Sequence, residues 1–190
     1  MEQTRKKFKW IEIISITLNF LLTAEAVLLI LQNRDLKNLV KSMSMVSQVE
    51  PLKPGERVEA VQIQTLDGNT TELTYTDTTK KYLLFVLSTT CPHCEKTLVN
   101  WKAIAQNNRD HRCDIIGVSL HHLDETKKYI ANKDVSFYLV SAADTSFSRK
   151  YKISGVPETI LLKGDGSVEK VWVGELSEEQ TREIENLMGA

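Results

Sequence analysis

Two cysteines, Cys91 and Cys94, enclose Pro92 and His93. A Cys-x-x-Cys spacing serves either dithiol–disulfide exchange or half of a metal site. The flanking residues favour exchange. Residues 82–88 (YLLFVLS) form a continuous apolar run of the kind found in strands buried on both faces of a parallel sheet. After the motif, Leu98, Trp101, Ile104 and Ala105 recur at helical spacing. A strand therefore delivers Cys91 to a helix N-terminus, and Pro92 fits the first turn, where its missing N–H is no loss. Unpaired backbone N–H groups and the positive end of the helix dipole favour a thiolate at Cys91, and the thiolate is the attacking species. An imidazolium or N–H of His93 would favour it further. Cys94, one turn on, is placed to resolve a mixed disulfide and release the substrate.

The metal alternative draws on Cys113, His111, His121 and His122. Zinc usually takes two closely spaced ligand pairs. The second pair would have to come from the ends of a buried strand, so Cys113 reads as an apolar strand residue and His121–His122 as a solvated loop. No metal and no cofactor beyond a Cys91–Cys94 redox disulfide is expected.

The elements around the motif alternate. Apolar runs at 114–120, 137–140, 159–162 and 168–173 are separated by helical stretches near 125–131 and 146–151. Asp124 is the expected cap of the first of these helices. Gly164-Asp165-Gly166 predicts a hairpin, as does Asp67-Gly68 between 58–66 and 70–75. Ser177-Glu178-Glu179-Gln180 has the pattern of a capping box before a last helix. The order is β-β-β-α-β-α-β-α-β-β-α. This is an α/β sheet, parallel in its middle and antiparallel at its edges.

The chain has 190 residues, 26% charged and 42% hydrophobic, with a net charge of −1. That charge argues against a nucleic-acid partner, which favours a basic excess. Three cysteines exclude a disulfide-rich scaffold. Much of the apolar excess lies at residues 11–31, long enough as a helix to cross a bilayer core of about 30 Å. Glu25 opposes insertion by about 2.5–3.5 kcal/mol, which the surrounding Ile, Leu, Val and Phe residues outweigh. It is placed to meet a polar group of another membrane helix. Ala24-Glu25-Ala26 resembles a signal-peptide cleavage site, but the apolar run continues to Leu31. Arg5, Lys6, Lys7 and Lys9 precede the segment, against Arg34, Lys37 and Lys41 diluted by Asp35. The expected organisation is a cytoplasmic N-terminus at 1–10, a transmembrane helix at 11–31, a tether at 32–56 and an extracytoplasmic or periplasmic domain at 57–190.

The strand–CPHC–helix unit, the run Tyr151-Lys152-Ile153-Ser154-Gly155-Val156-Pro157 and the strand–turn–strand–Gly174–helix order that follows together resemble the thioredoxin superfamily. The resemblance covers roughly residues 54–188. It implies a thioredoxin-like fold, mixed in its sheet and flanked by helices. It also implies a cis Val156–Pro157 peptide beside the dithiol, and a Val156 backbone that pairs with a substrate strand. Within the superfamily the chain is most similar to the membrane-anchored TlpA/ResA-like branch, which includes the cytochrome-c-maturation thiol reductases. The N-terminal anchor, the extra hairpin, the insertion near 121–135 and Gly155-Val156-Pro157-Glu158-Thr159 carry that similarity. It implies a thiol–disulfide oxidoreductase acting on protein thiols or disulfides, with a membrane electron donor or acceptor. It gives Glu158 a part in substrate contact or proton relay. Thr90 stands where the family usually has Trp. Phe85 and Thr97 stand where its acids lie, which leaves Glu158 or Glu95 as the acceptor of the Cys94 proton. The Pro-His pair resembles strongly oxidising oxidases. A peroxiredoxin-like peroxidase shares the fold, and Ser88 is in its Ser-x-x-Cys register, but its proline position is Leu84. A non-enzymatic, membrane-tethered metal-binding module is the remaining alternative.

Overall fold

The computed structural model describes residues 49–108 and 113–189, together with Leu18, Leu21, Leu22, Thr23, Glu25 and Leu29. Contacts divide the chain into two units, 1–48 and 49–190. In the first, the described residues are helical, and Leu18, Leu21, Leu22 and Leu29 are exposed. The remainder of the 11–31 segment, the cytoplasmic N-terminus at 1–10 and most of the tether lie outside the described residues, as does His111. Among the described residues no helix is long and apolar enough to cross a membrane.

The second unit contains β1 (Val61–Gln64), β2 (Thr70–Leu73), β3 (Lys81–Leu87), α1 (Pro92–Asn107), β4 (Cys113–Ser119) and α2 (Leu123–Lys133). It continues with β5 (Tyr138–Ser141), α3 (Thr145–Lys150), β6 (Glu158–Lys163), β7 (Val168–Val173) and α4 (Glu178–Gly189). The order is the one the apolar periodicity predicts. One seven-stranded sheet runs β2-β1-β5-β4-β3-β6-β7. β3, β4 and β5 are parallel, and β1, β2, β6 and β7 join antiparallel. The unit begins eight residues before position 57, because residues 49–56 pack on it. Leu52 is buried, the Gly55 N–H donates to Val168 O, and the Val168 N–H donates to Glu56 O.

Alternation along the strands sends successive side chains to opposite faces. Leu83, Phe85 and Leu87 meet Leu98, Trp101 and Ile104 of α1, Tyr129 of α2 and Ile184 of α4. Leu84 and Val86 meet Phe147 of α3, Tyr151, Ile160 and Leu162 on the other face. Trp101 stacks on Phe85 with centroids 4.9 Å apart, worth about 0.5–1.5 kcal/mol beyond area burial. Its Nε1–H donates to Thr159 Oγ1 at 3.0 Å. Gly117 of β4 is required by close approach, since a Cβ there would lie 2.1 Å from Leu139 Cδ1.

Two helix starts test the capping expectations. At α4 the capping box forms reciprocally: the Ser177 N–H donates to Gln180 Oε1 and the Gln180 N–H to Ser177 Oγ. At α2 the expectation fails. His122, without a side-chain cap bond, holds the N-cap position. Asp124 lies one step inside, in the first turn, where it complements the dipole instead.

Candidate functional site

β3 ends at Leu87, and the turn 88–90 carries the chain to Cys91, the N-cap of α1. The half-buried Cys91 sulfur accepts the Cys94 N–H at 3.4 Å, and its thiol donates to Val156 O at 3.5 Å. Pro92 occupies the first turn. Cys94 has no exposed surface, and all three cysteines are free thiols. Burial pushes the Cys94 thiol up to about 12; the backbone N–H of Ser88 opposes the rise and the neighbouring Cys91 adds to it. The outer sulfur is thus accessible and meets peptide groups, while the inner one is sealed behind it.

The Val156–Pro157 peptide bond is cis. Its loop is tied down by the Gly174 N–H, which donates to Pro157 O at 2.8 Å. Gly174 has φ +94°, a left-handed turn that suits glycine and leads β7 into Glu175 and Leu176.

His93 does not face the Cys91 sulfur. Its Nδ1 pairs with the Glu175 carboxylate, which also takes Lys96 Nζ at 3.2 Å. The His93 bond, and then Lys96, hold the Glu175 carboxyl below its usual range. The two family acid positions are accounted for. Phe85 is stacked in the core, and Thr97 is buried with its hydroxyl accepting the Leu176 N–H.

Neither expected substitute acid reaches Cys94. Glu95 is drawn to Lys133 of α2 at 2.9 Å. Glu158 is fully buried, but on the other face of the sheet. It pairs across the ladder with Val86, while the adjacent Thr159 points at Trp101 and the Cys94 side. Burial raises the Glu158 carboxyl to about 7, against the backbone N–H groups of Ser154 and Gly155. Its Oε2 accepts the Ser154 N–H, and its Oε1 has no partner. Glu158 therefore underpins the loop that carries Val156 and Pro157.

Two groups at this end of the sheet escaped the sequence reading. The Tyr129 hydroxyl is buried without a hydrogen-bond partner. Burial first, then the charges available to Cys94, Glu95 and Cys91, push that phenol up to about 12. His121 is not a solvated loop residue: its Nε2 lies 2.8 Å from Ser88 Oγ. A buried hydroxyl spaced from an apolar helix face gives no sequence signal, and His121 meets Ser88 only through the β3–β4 register.

Among the described residues no group of three or more His, Cys, Asp or Glu could hold a metal ion. Cys113 begins β4, and His121 lies beyond its far end, so these two do not form a ligand pair. The arrangement can carry out thiol–disulfide exchange at Cys91, with Cys94 within reach of its sulfur.

Among curated proteins, a thioredoxin-like protein of Haemophilus influenzae is 27% identical over 126 residues, 65% of this chain and 72% of that protein. Sporulation thiol-disulfide oxidoreductase A of Bacillus subtilis is 24% identical over 143 residues, 72% of this chain and 84% of that one. Among solved structures, a putative thiol:disulfide interchange protein DsbE of Chlorobium tepidum superposes with TM-score 0.63 at 17% identity, covering 72% of this chain and 96% of that one. Peroxidoxin BcpB of Mycobacterium tuberculosis gives 0.60 at 16% identity, covering 72% and 96%. These likenesses establish the thioredoxin-like fold. The profile of the AhpC/TSA family matches residues 54–171, more than half of the chain, and the protein belongs to that family of thiol-based redox proteins.

Proposed function

We propose that this chain is a thiol–disulfide oxidoreductase of the TlpA/ResA-like, cytochrome-c-maturation type. It exchanges disulfides with extracytoplasmic protein substrates. Cys91 attacks, and Cys94 resolves the mixed disulfide to leave a Cys91–Cys94 disulfide as the only redox group. The observation that carries the reading is the half-buried Cys91 sulfur at a helix N-cap, bonded to Val156 O of a cis peptide, with Cys94 sealed behind it. Val156 offers backbone to an extended substrate strand, and Pro157 leaves that edge without an N–H of its own. Residues 11–31 anchor the protein, in keeping with exposed leucines at 18, 21, 22 and 29. A membrane donor or acceptor then turns over the dithiol.

Cys94→Ser tests the reading, since loss of the resolving thiol traps mixed disulfides through Cys91. Adducts isolated from cells in this variant, and none in Cys91→Ser, are the expected result. Adducts in Cys91→Ser alone reverse the roles. The anchor is tested by fractionation: the full chain stays with membranes after a carbonate wash, and its release overturns the anchor.

A second reading, a thiol-dependent peroxidase, draws on the family match and on Ser88 in register with Cys91. Against it, Leu84 replaces the proline of that motif. Among the described residues no arginine is a hydrogen-bond partner of the Cys91 sulfur. Consumption of hydrogen peroxide by the reduced protein, at a rate above that of disulfide exchange, would favour it.

A further inference from the structure

Leu176 lies between β7 and α4, and its peptide groups belong to neither element. The residue is buried, so both groups need partners. Side chains of a single helix supply them. The Leu176 N–H donates to Thr97 Oγ1 at 3.3 Å, and Asn100 Nδ2 donates to Leu176 O at 2.7 Å. One residue earlier, the Glu175 carboxylate takes His93 Nδ1 and Lys96 Nζ. His93, Lys96, Thr97 and Asn100 stand at i, i+3, i+4 and i+7, on one face of α1. One residue earlier again, the Gly174 N–H donates to Pro157 O at 2.8 Å. Residues 174–176 therefore form a strap, with α1 at one end and the cis-proline loop at the other.

The strap closes a ring. Cys91 caps α1, and its thiol meets Val156 O at 3.5 Å. Val156 precedes Pro157, and Pro157 returns through Gly174 to the face of α1. A substrate strand must engage the Cys91 sulfur and the Val156 backbone at once, and these come from two different elements. The bonds of the strap are unequal. His93 and Lys96 are 63% and 65% exposed, and ion pairs in water contribute little. Thr97 is fully buried and Asn100 half-buried, so losing either bond strands a peptide group away from water. Trp101 joins α1 to Thr159 of β6 by a separate route, so the packing of the helix on the sheet does not hang on the strap.

We propose that Thr97 and Asn100 are positioning residues for substrate docking, and that they favour extended protein segments over small disulfides. The inference rests on the exchange reading above. The strap holds Val156 in its docking position before a substrate arrives, so binding does not have to order the loop. A strand that pairs with Val156 then brings its sulfur onto Cys91 in register. A small disulfide has no strand, meets Cys91 alone and makes no use of the strap. Thr97 stands at a position where the family has an acid, and here its hydroxyl serves docking.

Insulin and Ellman's reagent, a small aryl disulfide, separate docking from attack on the full-length protein. Insulin reduction with a dithiol donor gives KM and kcat, and the first aryl thiolate released by the reduced protein reads attack by Cys91. Thr97→Val, which removes the hydroxyl at nearly constant shape, should raise KM for insulin about three- to tenfold, and Asn100→Ala should do the same. In both variants kcat and the Ellman rate should stay within about twofold. Thr97→Ser, which restores the hydroxyl, should restore KM. Asn100→Ala carries the test if Thr97→Val does not fold. An unchanged KM overturns the proposal. So does a parallel fall in the insulin and Ellman rates, or a KM that Thr97→Ser leaves raised, since either marks a packing role. Failure of the exchange reading looks different: Cys91→Ser would then reduce insulin at the normal rate, and the strap would have no docking to serve.

Discussion

Cys94 and Cys113 are chemically the same side chain in nearly the same setting. Both lie in the core between the sheet and α1, both are almost without exposed surface, and burial pushes both thiols up to about 12. They differ in which end of the sheet they occupy. Cys113 opens β4, among Lys81, Asp114 and Glu169, whose charges oppose and add to the burial effect. Cys94 sits where the parallel strands finish and a helix starts. There it meets a second thiol, the Ser88 N–H and, through Cys91, the peptide of Val156. Burial makes both thiols reluctant to ionise. Only at the carboxyl ends of the strands does such a thiol stand beside a second sulfur with which it can exchange.

The largest test of this contrast is to remove each sulfur. Cys94→Ala should lower turnover of a protein disulfide by about a thousandfold, because the mixed disulfide then has no internal exit. Cys113→Ala should change turnover by less than about twofold and lower stability by about 1 kcal/mol, the usual size for a modest core deletion. Insulin reduction with a dithiol donor and urea denaturation read the two effects. Equal losses of turnover would erase the distinction between the two ends.

Glu158 sharpens the contrast, as an ionisable group buried on the opposite face. Its carboxyl is raised from 4.5 to about 7, so the folded protein binds a proton that the unfolded chain has lost between those values. The neutral form's contribution is whole below pH 4.5 and is lost as pH rises through 7. At about 1.4 kcal/mol per pH unit, this group makes the protein about 3 kcal/mol less stable at pH 8 than at pH 4. Glu158→Gln should remove that slope and leave the resolving step in place. Parallel stability profiles for the variant and the unaltered protein would show that the carboxyl is solvated.

The motif and its flanks were legible because they are local. A buried run, a proline and a helical period fix Cys91 at an N-cap without reference to the rest of the chain. The cis peptide at Pro157 was legible by resemblance, and the observed bond agrees. Contacts made by register were not. His121 reaches Ser88 because Leu87 pairs with Ser119 across two parallel strands, which places the two following turns side by side. Glu158 follows the cis proline, and the resemblance places it with the dithiol as a substrate or proton-relay group. Its burial follows from β6 lying between β3 and β7, which no local pattern records. Asp124 looked like a cap because it is a good one, but α2 starts two residues earlier than that cap requires, at Leu123.

The smallest expected effect concerns His93, where local sequence promised the most. Between the cysteines an imidazolium looks like a direct stabiliser of the Cys91 thiolate. In the structure Glu175 draws it aside, and its side chain is 63% exposed. Exposed ion pairs are worth about 0–1 kcal/mol, and 30 mV corresponds to about 1.4 kcal/mol for this two-electron couple. His93→Ala should therefore lower the reduction potential of the Cys91–Cys94 disulfide by less than about 20 mV. Glu175→Gln should raise it by a similar amount, because the imidazolium then loses the carboxylate that offsets its charge. Equilibration with glutathione at fixed pH measures both. A drop of more than about 60 mV in His93→Ala would mean that the ring turns onto Cys91 in solution, and that the helix N-terminus acts with His93 rather than alone.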